Sequence, residues 1–72
     1  MPIAVTDLST REIQILKFLI EGKSNKHIAI QLHITEATVK AHLKNIMAKL
    51  GASDRTEAVM LGLRRGIIHL DD

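Results

Sequence analysis

The chain has no cysteine, no tryptophan, no tyrosine and a single phenylalanine, Phe18. Without cysteine there is no disulfide, no thiolate nucleophile and no thiolate metal site. The lack of aromatic side chains removes the platforms on which unstacked bases lie, which argues against folds that bind single strands. No apolar run reaches the roughly 20 residues of a membrane-spanning helix. The opening MPIAVTD also lacks the basic and apolar regions of a secretory signal. The expected location is therefore the cytoplasm, with no membrane partner.

What is present fits one small domain. A chain of 72 residues buries only about 60% of its surface on folding, so its stability is modest. The net charge of +2 is small, but it is unevenly placed. Between Gly22 and Lys49 stand Lys23, Lys26, Lys40, Lys44 and Lys49 against Glu36 alone, while acids outnumber bases in the remainder. One basic side on a neutral or acidic body is an electrostatic footprint for phosphate; a solvated lysine face gives the same count.

Along the chain, helix signals come in order. Residues 1–7 show no periodicity and read as a linker or lead-in from a preceding domain. Ser9-Thr10-Arg11-Glu12 has the form of a capping box, with Glu12 a structural cap in the middle of an apolar arc. Ile13, Ile15, Leu16, Leu19 and Ile20 form that arc, and Gly22 stops the helix. Ser24 caps a short second helix with Ile28, Ala29 and Leu32 inward, and His33-Ile34 makes a tight connection. Thr35 caps a third helix that runs to Gly51. Asp54, with Glu57 placed to complete a second box, opens a fourth that Gly66 closes. The spacing predicts an all-α fold with helices at about 10–21, 25–32, 36–50 and 55–65, a domain over 8–70 and a frayed tail at 71–72. Two short helices joined by about three residues, the second amphipathic and basic, form a helix-turn-helix arrangement.

The third helix has two faces. At about 100° per residue, Val39, Leu43, Ile46, Met47 and Leu50 fall on one side. Ala37, Ala41, Lys44, Asn45 and Ala48 fall on the other, with Lys40 and Thr38 at its margins. In the fourth helix Ala58, Val59 and Gly62 share a seam, whereas Met60 and Leu63 lie away from it beside Arg64. Met60, Leu63 and Arg64 are the candidate dimer contacts, a wider core being the bland alternative. His27, His33, His42 and His69 show no metal-ligand spacing, so neither metal nor cofactor is expected. No candidate acid, base and nucleophile share a cleft-forming pattern, and an enzyme is not expected.

Five blocks together are more specific than any of these signals: Leu8 to Glu12, Glu21 to Ala29, Thr38 to Ile46, Lys49 to Gly51 and Arg55 to Val59. In this order they resemble the LuxR-type (NarL/FixJ/GerE) helix-turn-helix domain, the output domain of response regulators. The resemblance covers residues 7–68. It implies a four-helix domain whose third helix enters the major groove of double-stranded DNA and whose fourth pairs two copies, a homodimer formed on DNA. It places base reading on Lys40, Ala41 and Lys44, and phosphate contacts on Ser24, Asn25, Lys26, Thr38, Asn45 and Lys49. Several family members carry a longer side chain where Ala41 stands, which leaves the base met there open. The competing reading is a helical protein-interaction module that docks on an acidic surface, for example on RNA polymerase. The alanines between the lysines separate the two, since a groove-binding helix offers bulky anchors at i, i+3, i+4 and i+7.

Overall fold

In the computed structural model, which describes residues 7–70, Ser9, Ser24, Thr35 and Asp54 each stand immediately before a helix and accept a hydrogen bond from a backbone N–H three residues on. Helix formation follows directly, because the first N–H groups of a helix have no partner within it. The elements are α1 (Thr10–Ile20), α2 (Asn25–Leu32), α3 (Glu36–Leu50) and α4 (Arg55–Arg64). Among the described residues there is no strand, so the all-α expectation holds. Residues 1–6 and the expected frayed tail at 71–72 lie outside the described residues.

Two helices end one residue earlier than their periodicity suggests: Glu21 and Arg65 are caps. All four helices share a closure in which a residue two or three past the helix donates to the carbonyl five residues before it. Lys23 N–H reaches Phe18 O, Ile34 N–H reaches Ala29 O, Ala52 N–H reaches Met47 O and Ile67 N–H reaches Gly62 O, at 2.9–3.1 Å. That closure requires a left-handed residue in between. His33 supplies it in the turn between α2 and α3, with φ 57 and ψ 42, where the other three helices use glycine. The second capping box also differs from expectation. Asp54 accepts the Glu57 N–H at 2.8 Å, but the Glu57 carboxylate accepts from Ser53 N–H at 2.6 Å rather than from Asp54.

The core is organised about α3, which packs against each of the other helices, while α1 also packs against α4. Ile15, Leu16, Ile28, Val39, Ile46 and Ile68 are fully buried, each contributing roughly 1.5–3 kcal/mol of hydrophobic stabilisation. Ile68 belongs to the tail that folds back beneath α1 and α4, and Gly62 makes room for it. A Cβ at Gly62 would lie 2.9 Å from Leu16 Cδ2 and 3.1 Å from Ile68 Cγ1. Gly62→Ala gains about 1 kcal/mol of helix propensity but overpacks this junction by about 1–3 kcal/mol. The expected result is a net loss near 1 kcal/mol in urea unfolding; an unchanged or raised midpoint would show that the tail yields without cost.

Candidate nucleic-acid interface

The turn geometry fixes how α3 is presented. His33 reverses the chain, Ile34 packs against the core, and Thr35 caps α3 with its Oγ1 accepting the Thr38 N–H at 3.1 Å. The Thr35 and Thr38 hydroxyls lie 2.9 Å apart. From this start the helix divides as its periodicity suggests. Val39, Leu43, Ile46 and Leu50 are buried, Met47 is partly buried, and Ala37, Thr38, Lys40, Ala41, Lys44, Asn45 and Ala48 are exposed. The proposed base-reading residues Lys40, Ala41 and Lys44 are therefore on one solvent face. Their neighbours along its centre carry no atom beyond Cβ.

The start of α2 contributes a second polar cluster. Ser24 Oγ accepts the His27 N–H at 3.1 Å, and Ser24 and Lys26 are exposed. Asn25 is half-buried and its Oδ1 accepts from Arg55 Nη1 at 2.8 Å, while Arg55 Nη2 donates to Lys23 O at 3.0 Å. Arg55 opens α4 only a few residues after α3 ends. This link therefore brings the start of α2 close to the C-terminal end of α3.

Lys49 is placed differently from the other lysines. Its ammonium donates to Glu12 Oε1 at 2.8 Å and to Asp7 O at 3.1 Å, which ties the end of α3 to the start of α1. Its expected phosphate contact would compete with this ion pair, whose carboxylate is only 4% exposed while the Lys49 side chain stays 37% exposed. The Glu12 carboxylate also accepts from Ser9 N–H at 2.8 Å and so completes the capping box. Burial by itself pushes the Glu12 carboxyl up. The hydrogen bond from Lys49, the bond from the Ser9 backbone, the charge of Lys49 and the Ser9 hydroxyl outweigh burial and hold it below its ordinary value. Sequence reasoning found the cap but missed the cation. The available signal was an acid in an apolar arc, which calls for a buried partner.

On α4, Met60 is 51% exposed and stands where two shallow hollows meet. One is lined with Leu19, Ile20, Arg55, Thr56 and Val59, the other with Asp54, Thr56, Glu57, Leu61 and Arg64. Arg64 is exposed, but Leu63 is partly buried against the core. The apolar surface that α4 offers thus centres on Met60. Among the described residues no three His, Asp or Glu side chains gather to hold a metal ion. No helix among them is long and apolar enough to cross a membrane.

Residues 6–61 match the model of the family described as bacterial regulatory proteins, luxR family. The chain belongs to the luxR family. The transcriptional regulatory protein LnrK of Bacillus subtilis (strain 168) is 47% identical to it over 66 residues, 92% of this chain and 30% of LnrK. The solved structure of the transcription factor GerE superposes with a TM-score of 0.84 at 44% identity, covering 89% of this chain and 96% of that one. The response regulator ChrA, from a heme-sensing two-component system, gives a TM-score of 0.83 at 44% identity, covering 94% of this chain and 33% of its own. The luxR-family chain described here thus spans about a third of the length of LnrK. That family is one of bacterial regulatory proteins and is not an enzyme family.

In this luxR domain Glu12 makes stability depend on pH with a definite sign. Its folded-state pKa lies below the ordinary value of 4.5. The stabilisation it gives is therefore full above that value and is lost as pH falls through the lower folded value. Glu12→Gln is expected to cost about 2 kcal/mol at pH 7, since it removes the charge that Lys49 faces. It should also flatten the acid limb of the stability curve in urea titrations between pH 7 and pH 3. Parallel curves for the two proteins would refute the assignment.

Proposed function

We propose that this domain binds double-stranded DNA sequence-specifically as the output module of a cytoplasmic bacterial transcription regulator, with α3 in the major groove. The carrying observation is the exposed face of α3, where Lys40 and Lys44 flank Ala41 and no bulky side chain intervenes. The major groove, about 12 Å wide, admits one helix, and small residues along its centre line let the backbone approach the base edges. Lys40 and Lys44 are one turn apart and can reach guanine O6 and N7, while the Ala41 methyl suits a thymine methyl. Ser24, Asn25 and Lys26 at the start of α2, with Thr38 and Asn45 on α3, are proposed to hold phosphates, since helix N-termini favour anions. Lys49 is left out because Glu12 already occupies it.

Docking on an acidic protein surface, such as one on RNA polymerase, is less well supported. Among the described residues the large apolar side chains that are exposed are Ile30, Met60 and Leu70, and none of them lies on α3. Met60 instead supports pairing of two copies through α4 on paired half-sites, with Arg64 at the rim. Leu63 contributes chiefly to its own core.

Fluorescence anisotropy against a duplex selected from a random library tests the DNA reading. Lys44→Ala and Lys40→Ala are each expected to weaken binding by about 1–3 kcal/mol and to relax base preference. Loss of a phosphate contact at Lys26 should lower the salt slope by about one. Unchanged affinity and preference in both α3 variants would defeat the assigned face. For pairing, Met60→Glu should reduce the complex on a palindromic duplex from two domains to one in sedimentation. A one-to-one complex for the unmodified chain defeats the pairing.

A further inference from the structure

We infer that Arg55 is a positioning residue for phosphate binding: it holds the Asn25 side chain with its N–H2 group outward, so that the start of α2 donates to the DNA backbone. This inference rests on the DNA-binding reading above. It comes from the chemistry of the fork rather than from the helix end alone. A guanidinium carries five N–H donors and no acceptor, so the Asn25 amide can present only its carbonyl oxygen to Arg55. The bond from Nη1 to Oδ1, at 2.8 Å, therefore decides which way the amide faces, and Nδ2 lies on the other branch. Among the described residues no buried side-chain nitrogen or oxygen lacks a partner. Nδ2 bonds to no protein group among those residues, and since it is not a buried orphan it keeps some contact with solvent on the half-buried Asn25.

The second arm of the fork fixes the backbone. Nη2 donates to Lys23 O at 3.0 Å, immediately before the N-cap Ser24, so the cap and the amide are held by one side chain from another helix. Without that hold the amide is free to turn its oxygen toward a phosphate, where two acceptors repel. The fork thus selects the donating orientation in advance, and binding loses less rotamer freedom.

Asn25→Asp in the 72-residue chain separates this role from a merely structural one. A carboxylate still accepts the Nη1 arm while Nη2 keeps the Lys23 carbonyl, so the melting temperature should hold or rise. The donor is nevertheless gone and an anion faces the phosphate, so affinity for the selected duplex should fall about tenfold or more. Arg55→Ala should also weaken binding about tenfold, and that loss should vanish in an Asn25→Ala background, as expected of two residues acting as one unit. Asn25→Asp that binds as tightly as the unmodified chain, or losses that simply add, would overturn the inference. Should Arg55→Ala unfold the domain, Arg55→Lys in the same cycle and Asn25→Asp alone still decide the matter. Lys44→Ala impaired with Asn25→Asp normal would leave the DNA reading intact and remove this inference. No salt-dependent binding by the unmodified chain would remove both.

Discussion

One helix has to be the centre of the core and the surface offered to a partner, and everything else in this domain follows from that constraint. Val39, Leu43, Ile46 and Leu50 draw α1, α2 and α4 around a single side of α3. A chain this small buries too little surface to spare another helix for the core. The opposite side is left to Lys40, Ala41 and Lys44 by exclusion. Its small residues carry no packing duty, and they keep the helix slim where a polyanion is expected to lie against it.

A helix used in this way must be fixed at both ends, because a small error in its axis moves every side chain on its outer face. The N-terminal end is set by the left-handed turn at His33 and the Thr35 cap. The C-terminal end is held by Lys49, whose ammonium reaches across to Glu12 and Asp7 at the start of α1. Placing a carboxylate in the apolar arc of α1 would be costly by itself. It is tolerated because the capping N–H group and the lysine together satisfy it.

The other charged tie, from Arg55 to Asn25 and Lys23, joins the helix proposed for pairing to the helix start proposed for phosphate. Both ties run from one helix terminus to another, and neither lies in the apolar centre. Hydrophobic burial therefore supplies most of the cohesion, while directional charged bonds set the angles at which the helix ends meet. This division suits a domain whose function depends on orientation, since apolar contacts are not directional.

Features that depend on residues three or four apart were legible in the sequence. The Ser9, Ser24, Thr35 and Asp54 caps, the glycine stops and the two faces of α3 all follow from the 3.6-residue repeat. The five blocks resembling the LuxR-type domain added the family's fold and the proposal of a reading face. The ion pair of Lys49 and the fork of Arg55 were not legible, for a common reason. Their partners lie 37 and 30 residues away, and which carboxylate or amide a long side chain meets is settled only when the helices pack. Leu63 shows the same limit in milder form: its helical position allowed an outward face, but in the fold it is partly buried against the core. The sequence by itself determined four capped helices and a two-faced third, because those are local periodicities. Only the tertiary structure decided which cations remain available to a partner, because that depends on distances the chain acquires on folding.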